Sequence, residues 1–279
     1  MTGTPESSHL SNDQPTIEDI AFTAHVDGVE QKYVRFLPPA FQRGTPHDVL
    51  IALHGHGSDR WQFIRDERDE CRAPRDFAVE HAMIYVSPDY RAKTSWMGPK
   101  AEADVLQIIT DLTENYRVAR VFLTGGSMGG TASLAFAALH PELIDGVASM
   151  NGTANFLEYE NYQEAIQASF GGTKTEIPFE YKKRSAEYWP ERLTMPIGVT
   201  VSGEDASVPP DSVLRLAKVM TAIGGKILLI YREELGHVTR YADARTILDF
   251  MLANARSKDE RGEVRQLAPP GTGDCASNS

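Results

Sequence analysis

Six short runs of almost continuously apolar residues divide the central part of the chain. A strand buried on both faces has this pattern, because a parallel sheet is covered by helices on either side. We therefore predict strands at Val49–Leu53, Met83–Val86, Val121–Leu123, Val147–Met150, Ile197–Val201 and Ile227–Tyr231.

Two earlier runs mix apolar and polar positions and fit an antiparallel edge of the same sheet. They lie at about Ala21–Val26 and Lys32–Leu37, and the link between them contains Asp27-Gly28. This dipeptide favours a tight turn between antiparallel strands. A hairpin is therefore predicted before the parallel strands begin.

Segments with helical periodicity separate several of the predicted strands. Apolar residues recur at i, i+3, i+4 and i+7 in sets that begin at Val105, Val213 and Ala244, and each set forms one apolar stripe along a helix. Strands that alternate with helices predict right-handed crossovers and a mainly parallel α/β sheet with helices on both faces. Functional groups of such sheets lie on loops after the carboxyl ends of the strands.

Composition narrows the class of protein. The 279 residues carry a formal net charge of −11, which disfavours nonspecific binding to nucleic acid or anionic membranes. We see no apolar run long enough to span a membrane and no secretory signal. Two cysteines, Cys71 and Cys275, cannot build a disulfide framework, so we expect free thiols and a cytoplasmic protein. Residues 1–18 and 257–279 are predicted to be mobile tails around a folded domain at 19–256.

The loop after Val121–Leu123 carries the most informative motif. It reads Gly-Gly-Ser-Met-Gly-Gly, with Ser127 at its centre, and leads into a helical segment. G-x-S-x-G between a strand and a helix places a nucleophilic hydroxyl on a very sharp turn, where the two outer positions accept only very small side chains. The N–H of Met128 is then predicted to face a developing oxyanion. The alternative to a catalytic role is a glycine-rich turn that packs a helix on a strand. The spacing of the glycines fits neither a dinucleotide-binding fingerprint nor a P-loop.

A second glycine-rich loop, His54-Gly55-His56-Gly57, follows Val49–Leu53. Its backbone can face the serine across the end of the sheet, and the N–H of His56 is the predicted second oxyanion donor. The pair His54 and His56 also suggests a metal site, but a metallohydrolase needs further ligands close behind, and only Asp59 is near. We therefore expect no metal or other cofactor and a structural role for His54.

A serine hydroxyl is a weak nucleophile without a base. His237 follows the last predicted strand, at the same sheet edge as Ser127, and is the predicted base; a surface histidine is the alternative. The base needs a carboxylate to fix its tautomer. Asp205 and Glu204 both follow Ile197–Val201, and Asp205 is favoured because the chain turns into the next helix just after it. Glu204 and an acidic loop with no catalytic role are the alternatives.

With these motifs in place, the sequence resembles the α/β-hydrolase superfamily over about residues 20–255. The stretch Val121–Gly152 is similar to the nucleophile region of feruloyl-esterase-like, polyhydroxybutyrate-depolymerase-like and dienelactone-hydrolase-like esterases, and of prolyl-oligopeptidase-like catalytic domains. Residues 181–186, which lead to Pro196, resemble the same branch. The resemblance implies acyl-transfer chemistry without a cofactor. Prolyl-oligopeptidase-like peptidases usually carry a large N-terminal propeller, which has no counterpart here, and this favours an esterase.

The substrate pocket is predicted from two segments. Trp96 and Met97 follow the strand Met83–Val86, and an insertion at about 151–195 has the character of a small cap. Aromatic residues with polar tips suit an acyl or aryl substrate, although they can equally pack the insertion onto the sheet. The aromatic residues of the insertion are Phe156, Tyr159, Tyr162, Phe170, Phe179, Tyr181, Tyr188 and Trp189.

Together these features predict a serine esterase that acts on a small-molecule carboxylic ester through a covalent acyl-enzyme, with Ser127, Asp205 and His237 as its triad. A peptidase or amidase with the same triad is one alternative. A binding protein on the same scaffold, without catalysis, is the other. The sequence does not indicate the oligomeric state.

Overall fold

An eight-stranded sheet forms the centre of the molecule in the computed structural model, which describes residues 15–39 and 41–256. The strands are β1 (Thr16–Thr23), β2 (Glu30–Leu37), β3 (His47–Leu53), β4 (Ile84–Pro88), β5 (Val118–Gly126), β6 (Gly146–Met150), β7 (Ile197–Ser202) and β8 (Ile227–Arg232).

Helices connect the strands and cover both faces of the sheet. In the described ranges the α-helices are α1 (Gln62–Arg65), α2 (Asp69–Glu80), α3 (Pro99–Asn115), α4 (Met128–Leu139), α5 (Gln163–Phe170), α6 (Pro178–Lys183), α7 (Asp211–Ala222) and α8 (Tyr241–Asn254). Two short 3-10 helices, at Ala186–Tyr188 and Pro190–Arg192, lie just before β7.

The strand order is β1-β2-β4-β3-β5-β6-β7-β8, with β1 and β2 antiparallel and β3 to β8 parallel. This confirms the predicted mainly parallel α/β fold with an antiparallel hairpin at one edge. The first strand was placed too late by its pattern: it begins at Thr16, inside the predicted tail, and the turn already starts at Ala24, whose carbonyl accepts the N–H of Gly28. Residues 1–14 and the predicted tail at 257–279 lie outside the described residues.

The core consists of two layers, because alternate residues of a strand point to opposite faces. In β3, Leu50 and Ala52 belong to the core layer that includes residues of α2 and α8, whereas Val49, Ile51 and Leu53 belong to the layer that includes residues of α3, α4 and α7. All five are completely buried. This two-sided burial explains why the parallel strands were recognisable as continuous apolar runs.

The order of the strands determines where a site can form. From β3 the chain continues to β4 on one side, and from β5 it continues to β6 on the other. Such a switch point leaves a crevice beyond the carboxyl ends of the two strands. Leu53 at the end of β3 pairs with Gly125 at the end of β5, so the loop that contains His56 lies beside the turn that contains Ser127.

Two further observations concern membrane-spanning helices and the cysteines. Within the part that the structure describes, no helix is both long enough and apolar enough to cross a membrane. Cys71 is buried and has no disulfide partner among the described residues, and burial raises the pKa of its thiol; Cys275 lies outside the described residues.

Candidate active site

Ser127 occupies a strained turn between β5 and α4. Its φ of 58° and ψ of −119° lie in a region that residues with a side chain rarely adopt, at a typical cost of about 1–3 kcal/mol. The N–H of Ser127 donates to the carbonyl of Met150 at 2.8 Å, and its own carbonyl accepts the N–H of Thr131 at 3.0 Å. These bonds hold the turn in the conformation that the motif predicted.

Glycine is required at the two outer positions of the motif, as predicted. A Cβ at Gly129 would lie 1.9 Å from the carbonyl oxygen of Leu53, and a Cβ at Gly125 would lie 2.6 Å from that oxygen. At Gly126, by contrast, the nearest atom would be the Cγ of Glu70 at 3.7 Å, which is an ordinary contact. The turn is therefore crowded on the side that faces β3 and open on the other.

Gly129→Ala is expected to destabilise the protein by about 3 kcal/mol or more, because the backbone of β3 cannot move aside without disrupting the sheet. Gly126→Ala is the matched control, with an expected change below about 1 kcal/mol. Urea unfolding of both variants measures the difference. Equal stability of the two variants would contradict the close approach of α4 to β3.

Two backbone N–H groups at the end of the sheet bear on the oxyanion prediction. Within residues 15–39 and 41–256, the N–H groups of His56 and Met128 have no hydrogen-bond partner. The N–H of Gly55, next to His56, instead donates to the Oε1 of Gln62 at 2.7 Å. Gln62 therefore orients the loop that contains His56. Nothing in the sequence pattern indicated this role. Two free N–H groups on adjacent loops are what the oxyanion prediction requires.

Asp205 and His237 form a direct pair, with Asp205 Oδ2 2.6 Å from His237 Nδ1. The other carboxylate oxygen, Oδ1, accepts the N–H groups of Ser207 and Val208 at 3.0 and 2.8 Å. Asp205 is 4% exposed, whereas Glu204 is exposed. The structure therefore pairs His237 with Asp205 rather than with Glu204.

The loop that carries His237 is held against β7. The hydroxyls of Thr239 and Thr200 lie 2.9 Å apart, and Ser202 Oγ donates to the carbonyl of Val238 at 3.3 Å. In the described part of the chain, neither ring nitrogen of His237 is hydrogen-bonded to the hydroxyl of Ser127. Catalytic hydrogen bonds are often long without substrate, and a hydrogen bond between Ser127 and His237 stays a prediction.

Trp96 and Met97 lie beneath the surface of the candidate site and are not exposed to solvent. Both side chains are completely buried. Trp96 Nε1 donates to His56 Nδ1 at 3.2 Å, and the carbonyl of Met97 accepts a hydrogen bond from Arg184 at 2.7 Å. In this conformation Trp96 acts on the site through His56, and direct contact of Trp96 or Met97 with a substrate stays a prediction.

The segment between β6 and β7 packs onto the candidate site. Tyr159 Oη and Asn161 Nδ2 both donate to the carbonyl of Ser207, two residues after Asp205. Half of the aromatic residues of this segment are buried, which fits the alternative that they pack the insertion onto the sheet. The others are at least partly exposed. The buried ones are Phe156, Tyr159, Phe170 and Tyr181.

A buried arginine that the sequence analysis did not single out anchors this segment. The side chain of Arg184 has no exposed surface and forms ion pairs with Glu102 and Glu180, both at 2.6 Å. Burial alone would raise the pKa of Glu102, but His140 and Arg184 lower it to about 2. Arg184 looks like a surface residue in the sequence because its partner Glu102 lies far away along the chain.

Another unforeseen group is Glu70, at the start of α2. Its carboxylate pairs with Arg68 at 2.9 Å, and it lies beside Gly126 at the turn. Burial raises the pKa of Glu70, which the positive charges of Arg68 and His237 partly offset.

His54 has the structural role expected for it. It is completely buried, and its ring nitrogens lie 2.8 Å from the carbonyl of Gly55 and 3.0 Å from the carbonyl of Asp89. Across the described ranges, no group of three or more His, Cys, Asp or Glu side chains is placed to hold a metal ion.

Comparison with known proteins extends these observations. A model of the prolyl oligopeptidase family matches residues 90–257, which is more than half of the chain. No curated protein is similar to the chain in sequence. Among solved structures, a candidate dipeptidyl aminopeptidase IV from Bacteroides ovatus has a TM-score of 0.71 at 16% identity over 87% of this chain. A ferulic acid esterase has a TM-score of 0.66 at 17% identity over 87% of this chain, and a puromycin hydrolase has 0.69 at 18% over 85%.

These neighbours differ in length. The chain spans 36% of the dipeptidyl aminopeptidase and 38% of the puromycin hydrolase, but 98% of the ferulic acid esterase. The family match includes the turn at Ser127, the Asp205 loop and His237. Together with the eight-stranded sheet, this match identifies a serine hydrolase of the α/β-hydrolase superfamily, and the chain belongs to the prolyl oligopeptidase family.

Proposed function

We propose that the protein hydrolyses a carboxylic ester through a covalent acyl-enzyme, with Ser127, His237 and Asp205 as its triad. The pair between Asp205 and His237, at 2.6 Å, carries the proposal. Its geometry explains which proton moves. Asp205 accepts the Nδ1 proton of His237, so Nε2 carries the lone pair that can take the proton of Ser127.

The reaction then follows from these positions. His237 removes the proton as Ser127 attacks the ester carbonyl, and the free N–H groups of His56 and Met128 hold the oxyanion. His237 next gives the proton to the leaving alcohol, which leaves Ser127 acylated. Water, deprotonated by His237, releases the acid and restores the serine. Asp205 stays ionised throughout and stabilises the cationic His237.

An ester is the first candidate because esterases are among the structural neighbours. The fold of the chain aligns with that of a ferulic acid esterase and of a thermostable esterase. A peptidase or amidase is the second candidate, because the prolyl oligopeptidase family model matches the chain.

A substrate panel separates the two candidates. We expect turnover of p-nitrophenyl esters of increasing acyl length and no turnover of aminoacyl-naphthylamides. Hydrolysis of the naphthylamides without hydrolysis of the esters would replace the esterase proposal with the peptidase one.

Fluorophosphonate labelling tests for catalysis independently of the substrate. The reagent is expected to modify the protein once, at Ser127, because only an activated serine attacks phosphorus rapidly. Intact-mass and peptide mass spectrometry identify the site. A protein that binds esters without cleaving them would remain unlabelled, as would a heat-denatured control.

A further inference from the structure

The side chain of His56 has a position that the proposed mechanism, which uses only its backbone, leaves unexplained. The imidazole is partly exposed and lies on the wall of an open cleft of about 590 Å³. The cleft is lined by His56, Thr94, Tyr162, Gln163, Glu164 and Ala165. The ring of Tyr162 lies 4.4 Å from the imidazole, centroid to centroid, and is 40% exposed.

Trp96 determines which nitrogen of His56 carries the proton. An indole N–H can only donate, so the His56 Nδ1 that receives it at 3.2 Å must hold a lone pair. The proton of the neutral ring is then on Nε2. Burial lowers the pKa of His56, which favours this neutral form near pH 7.

The donor that imposes this tautomer is itself rigidly held. Trp96 has no exposed surface, and its φ of 45° is a conformation that only a well-packed surrounding maintains. Three rings of the segment after β6 surround it, with centroids 5.4 to 6.4 Å away: Phe156, Tyr159 and Tyr162. The orientation of the imidazole is therefore set before a substrate arrives, which limits the entropy lost on binding.

The remaining N–H of the ring is available to a ligand. Within residues 15–39 and 41–256, the Nε2 of His56 has no hydrogen-bond partner. Its Nδ1 edge faces the buried Trp96, so the Nε2 edge is turned away from that residue. The backbone N–H of the same residue is the proposed oxyanion donor, which places this second donor close to the ester.

We propose that His56 is a specificity-determining residue whose Nε2–H donates to an acceptor oxygen of the ester, a few bonds from the carbonyl that is attacked. The proposal rests on the esterase function proposed above. It assigns the substrate to esters that carry an ether, hydroxyl or carbonyl oxygen in the acyl or the alcohol part, in preference to purely alkyl esters of the same shape.

Isosteric ester pairs test the proposal. In the acyl arm, p-nitrophenyl 4-methoxybutanoate and 3-ethoxypropanoate are compared with p-nitrophenyl hexanoate. In the alcohol arm, 2-methoxyethyl hexanoate is compared with butyl hexanoate. Each kcat/KM is divided by the rate constant of the same ester with hydroxide, which removes intrinsic reactivity. We expect the wild type to prefer the ether by about three- to tenfold in one arm, as for one neutral hydrogen bond.

Variants then assign the preference to His56. His56→Phe keeps a ring and the backbone N–H but has no donor, so the ratio of ether to alkyl ester is expected to fall to about one. Tyr162→Phe, which retains the neighbouring ring, is the matched control and should keep the wild-type ratio. Trp96→Phe gives a second measurement. Without the indole donor, His56 can also adopt the tautomer that carries its proton on Nδ1, so the ratio of ether to alkyl ester is expected to fall to about half.

The outcomes separate this proposal from the proposed function. Equal rates within every wild-type pair, or a wild-type ratio in His56→Phe, would overturn the role of His56 and leave the esterase assignment intact. If His56→Phe does not fold, an unchanged ratio in Trp96→Phe has the same meaning. Absence of hydrolysis for every ester in the wild type would instead overturn the esterase function itself.

Discussion

Ser127→Ala is expected to lower kcat for p-nitrophenyl esters by about 10⁵–10⁶-fold, which is the loss seen when a serine hydrolase is deprived of its nucleophile. The oxyanion donors remain, because the N–H groups of His56 and Met128 belong to the backbone. A small residual rate above the uncatalysed reaction is therefore expected. Steady-state kinetics with enzyme at micromolar concentration measures it.

The fold is expected to be unaffected by this substitution. Alanine and serine tolerate the positive φ of 58° equally poorly, so the unfolding free energy should change by less than about 1 kcal/mol. Ser133→Ala is the matched control: Ser133 lies on α4 and donates to the carbonyl of Gly129 at 2.8 Å. It should change stability by about 1 kcal/mol and leave kcat intact. Undiminished activity in Ser127→Ala would exclude Ser127 as the nucleophile.

Asp205→Asn is expected to lower kcat by about 10⁴-fold through the tautomer of His237. The N–H groups of Ser207 and Val208 require an acceptor at Oδ1. The amide nitrogen of the asparagine must therefore occupy the Oδ2 position and donate to His237 Nδ1. His237 then carries its proton on Nε2, where it cannot accept the proton of Ser127.

Glu204→Gln serves as the matched control for this variant. Glu204 is the adjacent residue, is exposed, and its backbone N–H donates to the carbonyl of Leu235 at 3.0 Å. Loss of its charge should change kcat by no more than about twofold. The two variants are compared from pH 6 to 9 with the same ester. A large loss in Glu204→Gln with little loss in Asp205→Asn would reassign the carboxylate of the triad.

Much of the fold could be predicted from the local pattern of apolar residues, but the ends of several strands were predicted wrongly. The parallel strands were recognised because both of their faces are buried, yet β5 extends from Val118 to Gly126, well beyond the predicted Val121–Leu123. Its last residues are glycines, which carry no hydrophobic signal, and its first residues are only partly buried. β1 started earlier than predicted because an edge strand with one exposed face lacks a continuous apolar run.

The predicted site residues differ in how far the sequence could place them. Ser127 could be placed because a tight turn between a strand and a helix is a local property, and the crowding at Gly125 and Gly129 has the expected form. Glu204 and Asp205 could not be separated securely by position along the chain. The distinction depends on which carboxylate meets His237, a residue in a different loop.

Hydrophobic periodicity and one glycine-rich motif therefore sufficed for the α/β architecture, the edge of the sheet that bears the candidate site and the location of Ser127, because each depends on residues close together in the chain. The tertiary structure alone decided the pairing of Asp205 with His237, the anchoring of the segment after β6 by Arg184, and the burial of Trp96 next to His56. Those contacts join segments far apart in the sequence, and their geometry exists only once the strands are in register and the segment after β6 has packed.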